Sequence, residues 1–405
     1  MSASNWFNES RYGMFIHWGA YAAAARGEWV ANRELIPLEE YTARVVNNFR
    51  AEHYDPRAWA QLALDAGMKY AVLTTRHHDG FSLWPTQAND FHAGKLGPKR
   101  DLVAPFVSAF REAGLRVGFY YSPASWYHPD YPGPHFRDWP NEGDWASPEA
   151  RERFIAFYKG QLIELMSNYG KIDYLWYDGC IPDDLQSRDV NETVLKLQPD
   201  ILINERNGAP FHVKISEQAI KPPKENIPWE ACMTLNSNWG YHAGDHDWKK
   251  PKDVIRMLCD TARNGGNLLL NIGPKADGTV PAESVNILTA AGEWLRRNGE
   301  AIYGAERCPF SWNNWGKVTA RGNKVYLNIF CGTGTQLCYG EIKNRVRSAK
   351  FLDTGEPVAF EQLGGRLFLR GLPERLSDPI ATTLVLELDG PPQALRAQTS
   401  FWIPG

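Results

Sequence analysis

The sequence predicts an α/β fold, a (β/α)8-like (TIM-type) barrel over residues 1–304, followed by a small C-terminal antiparallel β-sandwich over residues 305–405. Three observations carry this. Strand-like apolar runs alternate with amphipathic helix-like runs up to about residue 304, which argues for a parallel sheet. Seven or eight such units in roughly 300 residues favour a closed barrel over an open doubly wound sheet. Beyond residue 305 the helical pattern stops, and short strands separated by Gly, Asn, Asp and Pro take over. The phosphate-binding glycine loop of a nucleotide-binding sheet is missing. Gly265-Gly266 lies between a helix and a strand, the reverse of the required order.

Expected barrel strands are Gly13–His17, Tyr70–Thr75, Val117–Tyr121, Tyr174–Tyr177, Ile201–Asn204 and Leu268–Ile272, with one more between Val213 and Leu235. Pro56–Ala66 and Leu102–Ala113 repeat apolar residues at helical spacing and stop at Gly67 and Gly114. Ser147 reads as an N-cap with Pro148 at the first helical position, opening a helix that runs to Asn168. Lys252–Arg263 and Ala282–Arg297 follow the same grammar. In the second domain Lys317–Arg321, Lys324–Phe330, Gln336–Tyr339, Lys350–Leu352, Arg366–Leu369 and Thr382–Leu388 read as strands.

Composition narrows the function. Hydrophobic residues make up 43%, enough for a large core, and the formal net charge of −3 argues against a nucleic-acid partner. Six cysteines without a C-x-x-C pair read as reduced, mostly buried thiols. The first residues lack the basic and apolar regions of a signal peptide, and no run approaches the roughly 18 apolar residues of a membrane span. A soluble, cytoplasmic protein with no membrane partner is expected. The oligomeric state is not written in the sequence.

Polar residues collect where the strands end: His17-Trp18-Gly19, Arg76-His77-His78-Asp79, Tyr120-Tyr121-Ser122, Asp178-Gly179 and Asn204-Glu205-Arg206-Asn207. One polar strand end is ordinary; five in succession describe the carboxyl-end face of a barrel, where such folds build their sites. The segment Ile172-Asp-Tyr-Leu-Trp-Tyr-Asp178 is the clearest of them, a buried-strand composition ending in a carboxylate. No H-E-x-x-H occurs, and His77 and His78 are adjacent, so both reach one site only if the strand has already ended. No catalytic metal or other cofactor is expected. No G-x-S-x-G occurs either, and the acidic neighbour Asp178 disfavours a Cys180 thiolate. That leaves carboxylates, and glycoside hydrolysis needs two of them. Asp178 is the first. The second is Glu217 or Glu230, and spacing does not choose between them; Trp229 would desolvate Glu230, and either Glu could instead pair with Lys214, Lys221 or Lys224.

The strings FIHWG, GEW, HHDGFSLW, KRDLV, YYSPASWY, LWYDG, NERNG, WEACMTLNSNWGY, GGNLLLNIGPKADG and GEWLRRNGEAIYG, in this order over about residues 6–304, resemble the α-L-fucosidases of glycoside hydrolase family 29. The resemblance implies a retaining exo-α-L-fucosidase acting on fucosylated oligosaccharides or glycoconjugates through a covalent fucosyl-enzyme. It places Asp178 on the nucleophile and Glu217 on the acid/base, with Glu230 as runner-up. It places His17, Glu28, Trp29, His77, His78, Tyr120, Arg206 and Trp239 on sugar-contacting positions. Two strings depart from the family: His212-Val-Lys-Ile-Ser-Glu217 stands where D-F-x-T-P-E is usual, and Glu205 precedes Arg206 in place of Asp. Loops Tyr127–Trp145 and Asp178–Arg188 are expected to shape the leaving-group side. A fucose-binding protein without catalysis and a metal-dependent barrel hydrolase are the other readings.

Overall fold

In the computed structural model the chain is described over residues 5–132, 145–179, 185–311, 313–375 and 377–395. Cys180 and the middles of the two loops expected on the leaving-group side, 133–144 and 180–184, lie outside the described residues. The first domain runs α1 (Asn5–Ser10), β1 (Tyr12–Ile16), α2 (Val30–Arg33), α3 (Leu38–Arg44), α4 (Pro56–Asp65), β2 (Tyr70–Arg76), α5 (Val103–Glu112), β3 (Arg116–Tyr121), α6 (Pro148–Asn168), β4 (Tyr174–Tyr177), α7 (Ser187–Leu197), β5 (Leu202–Ile203), β6 (Lys214–Glu217), β7 (Trp229–Met233), α8 (Pro251–Arg263), β8 (Asn267–Ile272) and α9 (Ala282–Asn298).

The eight strands form one parallel sheet in the order β5-β4-β3-β2-β1-β8-β7-β6. The ring closes between β5 and β6 through a parallel bridge of Asn204 with Val213. Glu205 N–H donates to Val213 O (3.1 Å), and the Glu205 carboxylate accepts from Ile215 N (3.0 Å). The segment expected to hold one strand, 213–235, holds two, β6 and β7. Strict alternation also fails there. A single 3-10 turn (Glu205–Asn207) joins β5 to β6, and no helix joins β6 to β7 among the described residues. Helix α7 was not expected, because its buried apolar stripe is little more than Val190 and Val194.

Helix starts follow the sequence. Ser147 Oγ accepts from Ala150 N (3.2 Å) ahead of Pro148, and Asp55 Oδ1 accepts from Arg57 N (2.9 Å) and Ala58 N (3.2 Å) ahead of Pro56. Side chains alternate along each strand, so one set packs under the helices and the other fills the barrel. The inner set includes Phe15, Tyr70, Val72, Tyr120, Tyr174, Trp176 and Leu269, with Phe7 of α1 plugging the amino end. Position 13, two residues before the inward Phe15, is glycine because a Cβ there would lie 2.4 Å from the Tyr70 ring.

The second domain contains β9 (Gly316–Arg321), β10 (Lys324–Ile329), β11 (Gln336–Tyr339), β12 (Val346–Phe351), β13 (Ala359–Leu363), β14 (Arg366–Arg370) and β15 (Thr382–Leu388). They make two antiparallel sheets, β12-β15-β10-β9 and β11-β14-β13, around their own core of residues such as Phe310, Leu327, Leu369 and Leu386. Strand β12 starts earlier than expected, at Val346. Strand β13 was not expected: it is an edge strand with no buried residue, so its sequence lacks an apolar face. The sandwich rests on α8 and α9 through Lys317–Asp260 (3.0 Å), Arg297–Asp378 (2.5 Å) and Trp294 Nε1–H to Ala381 O (2.8 Å). None of the five described cysteines forms a disulfide; Cys232, Cys259 and Cys308 are buried, Cys331 and Cys338 exposed.

One close helix contact gives a test. A Cβ on Gly292 of α9 would lie 1.7 Å from the carbonyl oxygen of Asp65 at the end of α4. Gly→Ala inside a helix ordinarily stabilises by about 1 kcal/mol. Here Gly292→Ala is expected to destabilise instead, by about 1–3 kcal/mol, because two backbones must separate. Chemical denaturation that shows an equal or more stable variant refutes this packing.

Candidate active site

The carboxyl ends of the strands enclose a cavity of about 120 Å³ lined by Phe15, His17, Trp29, His77, His78, Tyr120, Trp176, Asp178, Arg206, Glu217 and Trp239. The cup thus gathers Asp178, Glu217 and all but one of the residues expected to contact sugar. The exception is Glu28, which is not among these lining residues: it is buried and its Oε2 accepts from Gly240 N (2.7 Å). That bond ties the turn carrying Trp29 to the loop carrying Trp239. Burial raises the Glu28 carboxyl above its ordinary range, with the nearby charges of Asp178 and Glu217 adding to the effect.

Asp178 follows the last residue of β4, with its side chain 17% exposed. Its Oδ2 accepts from Tyr120 Oη (2.6 Å), its Oδ1 from Arg206 Nη1 (2.6 Å) and Gly179 N (2.8 Å). His78 Nε2 lies 3.5 Å from Oδ2. Burial by itself would raise this carboxyl, but His78, Arg206 and the hydrogen bonds from Tyr120 and Gly179 outweigh it and push the pKa down to about 2. Asp178 is therefore an anion at any working pH. The side chain of Asn204 supports this strand end from β5, accepting from Tyr177 N (2.9 Å) and donating to Tyr177 O (2.8 Å).

Glu217 ends β6, its side chain 39% exposed at the rim. Arg206 donates its other terminal nitrogen to Glu217 Oε2, so one planar fork holds both carboxylates. Arg206 stands on the 3-10 turn that closes the barrel, with its guanidinium 5.0 Å from the Trp176 ring centroid. The lysines considered as partners for Glu217 are thus replaced by an arginine.

The three histidines are neutral hydrogen-bonding groups. Strand β2 ends at Arg76, so His77 and His78 lie past it and both line the cup, with ring centroids 4.2 Å apart. Burial pushes His17 and His78 down to about 4 and His77 well below its usual value. His17 Nδ1 meets Asn271 Oδ1 (2.7 Å), and His78 Nδ1 meets Ser122 Oγ (2.6 Å). Aromatic rings complete the wall. Trp239 lies 5.0 Å from His17, and Trp29 lies 5.3 Å from His78.

Glu230 does not reach the cup. It is 0% exposed, and its carboxyl accepts from Tyr70 Oη (2.7 Å), Tyr174 Oη (2.8 Å) and Trp176 Nε1 (2.8 Å) beneath the floor. Trp229 does not desolvate it. Neighbours on a strand point to opposite faces, and Trp229 turns outward to donate to Asn264 O (3.1 Å). The barrel interior itself raises Glu230 to about 7, against three hydrogen bonds that lower it. Phe15 and Trp176 line the cup without having been singled out. Each lies two residues before a singled-out residue, His17 and Asp178, so strand alternation was the available signal.

Among the described residues one group has a metal-like spacing: donor atoms of His77, His78 and Asp178 lie within 4.8 Å of one another. The donor set fits a cation poorly. The Asp178 oxygens already accept from Tyr120 and Arg206, and the Arg206 charge 2.6 Å away opposes a second cation.

Residues 1–300 match the family model described as alpha-L-fucosidase. The chain is 32% identical over 334 residues to the human plasma alpha-L-fucosidase, covering 74% of this chain and 68% of that protein. Alpha-L-fucosidase isoenzyme 1 from Paenibacillus thiaminolyticus superposes with a TM-score of 0.88 at 38% identity, covering 96% of this chain and 99% of that one. A GH29 alpha-L-fucosidase from Bacteroides thetaiotaomicron, trapped as a covalent intermediate in complex with 2-fluoro-fucosyl fluoride, superposes with a TM-score of 0.85 at 28% identity, covering 95% and 96%.

The buried Glu230 gives a pH test. Its folded pKa, about 7, lies above the ordinary 4.5, so the folded state binds this proton more tightly than the unfolded chain. The resulting stabilisation is complete below pH 4.5 and lost as pH rises through 7, a change on the order of 3 kcal/mol. The stability of wild type relative to Glu230→Gln should therefore fall across that window. Denaturant melts at several pH values that show a constant difference contradict the buried, titrating carboxyl.

Proposed function

The chain belongs to the α-L-fucosidase family, and from that membership and the geometry of the cup we propose that it hydrolyses terminal α-L-fucosyl residues of fucosylated oligosaccharides or glycoconjugates. The observation that carries the reading is the pair of carboxylates on one arginine fork, Asp178 inside the cup and Glu217 at its rim. The cavity, about 120 Å³, is well below the roughly 300–1,000 Å³ of clefts that take larger ligands. It suits one terminal ring and so exo action.

We assign the two carboxylates the roles of a retaining reaction, a reading supported by the covalent intermediate trapped in the Bacteroides thetaiotaomicron enzyme. Asp178, ionised and held by Tyr120 and Arg206, attacks the anomeric carbon and forms a covalent fucosyl ester. The bond from that carbon to the leaving oxygen breaks, and Glu217 donates the proton that the leaving oxygen takes. Glu217 then removes a proton from water as the water attacks the same carbon, which frees Asp178 and restores the acid. Neutral His17, His77 and His78 donate to or accept from ring hydroxyls, since each neutral imidazole offers one donor and one acceptor. Trp29 and Trp239 offer apolar faces to the C–H surface and methyl group of a 6-deoxy sugar.

Asp178→Asn should lower kcat on an activated aryl fucoside by about 10³-fold or more without loss of fold, and should no longer gain mass with 2-fluoro-fucosyl fluoride. A fully active variant removes Asp178 from the nucleophile's place. Glu217→Ala should slow a natural fucoside by about 10²–10⁴-fold and an aryl fucoside with a good leaving group much less, with azide restoring turnover. Equal loss on both substrates and no azide effect would assign the proton transfer elsewhere.

A further inference from the structure

We propose that Glu230 is a positioning residue for Asp178 and acts through Trp176. The inference rests on the fucosidase reading of the cup above it. The Trp176 indole is the floor of that cup, and two of the groups that hold Asp178, Tyr120 and Arg206, rest against it. Tyr120 lies nearly parallel to the indole, with centroids 5.6 Å apart and planes 16° apart, and its hydroxyl donates to Asp178 Oδ2 at 2.6 Å. The Arg206 guanidinium lies 5.0 Å from the indole centroid and donates to Asp178 Oδ1 at 2.6 Å. If the ring tips, both of these side-chain hydrogen bonds to Asp178 move with it.

An indole has a single polar handle, its N–H donor. In Trp176 that handle points down to Glu230 Oε1 at 2.8 Å. The same oxygen accepts from Tyr174 Oη (2.8 Å), and Oε2 accepts from Tyr70 Oη (2.7 Å). Tyr174 and Trp176 lie two apart on β4, the strand that ends at Asp178, and Tyr70 opens β2. One carboxyl on β7 therefore ties β2 and β4 together across the barrel interior. Glutamine preserves the pattern: its oxygen accepts from Trp176 and Tyr174, and its amide donates to the Tyr70 oxygen. Leucine leaves three buried donors without an acceptor and the indole without a stop. Misplacing a reacting group by roughly 1 Å can cost on the order of 10²-fold in rate.

The test is steady-state kinetics on an activated aryl fucoside for wild type, Glu230→Gln, Glu230→Leu and Trp176→Phe. Each is assayed with and without azide, below its melting temperature and with folding checked by circular dichroism. Glu230→Gln should stay within about threefold of wild type, whereas Glu230→Leu should lose about 10–100-fold in kcat with little change in KM. Trp176→Phe keeps an aromatic ring but not the handle, and should lose kcat similarly. The double variant should be no worse than the poorer single one, since both break one linkage. Azide should restore none of them, which separates positioning from acid/base work. The proposal is overturned by a folded Glu230→Leu with wild-type kcat, by a Glu230→Gln as impaired as Glu230→Leu, or by azide rescue of either. If Glu230→Leu does not fold, Trp176→Phe decides, and wild-type kcat in that variant overturns the proposal. Wild-type turnover is the control. Its absence sinks the fucosidase reading, whereas turnover with an indifferent Glu230→Leu sinks this inference alone.

Discussion

An ionised carboxylate inside a largely buried cup is the constraint from which the rest of this structure follows. Removing the Asp178 charge from water is costly, and an unpaired buried anion would take up a proton instead. Arg206, Tyr120 and the Gly179 N–H prevent that. Each compensating group needs its own support. Arg206 depends on the 3-10 turn that closes the barrel between β5 and β6, where Glu205 accepts from Ile215 N. Tyr120 depends on β3 and on the aromatic floor. The barrel's closure and the partner of the Asp178 charge are thus supplied by neighbouring residues, Glu205 and Arg206, in one short segment.

The wall around that charge combines two kinds of surface. Buried aromatics exclude water and strengthen every polar contact in the cup. Neutral imidazoles supply directional donors and acceptors without adding positive charge that would compete for Asp178. Their neutrality is a consequence of burial, since three protonated imidazoles within one cavity would repel one another and lack solvation. A polyhydroxylated ring with one apolar edge is the kind of ligand that such a surface matches.

The irregular part of the barrel also carries part of the candidate site. Helices follow β1, β2, β3, β4, β7 and β8, but among the described residues the connections from β5 through β6 to β7 hold no α-helix. Arg206 and Glu217 stand in that region, where a short turn rather than a helical crossover fixes the backbone. Here the β5–β6 junction is held by the Glu205 tie to Ile215 N, and the ends of β4 and β6 are joined by the Arg206 fork.

Much of this was legible in the sequence, because the relevant signals are local. Period-two and period-3.6 patterns, capping residues and polar strand ends identified most of the barrel and a face bearing His17, His77, His78, Tyr120, Asp178 and Arg206. Strand β13 and helix α7 were not, since an exposed edge strand and a helix with a narrow stripe leave little pattern to read. The hydrogen bond from Gly240 N to Glu28, between residues far apart in the chain, also needed the tertiary structure. Alternation says only which way a side chain points. How high it stands in the barrel depends on the stagger of neighbouring strands, which no single strand encodes. Glu217 pairs in register with Cys232, and Ile215 with Glu230, so Glu230 lies two residues below Glu217 on the adjoining strand. At roughly 3.3 Å per residue that is about 7 Å, the difference between the rim of the cup and the layer beneath its floor. The sequence by itself determined the chemical groups and the face they share; only the register of eight strands decided which carboxylate shares the Arg206 fork with Asp178 and which one lies beneath the floor.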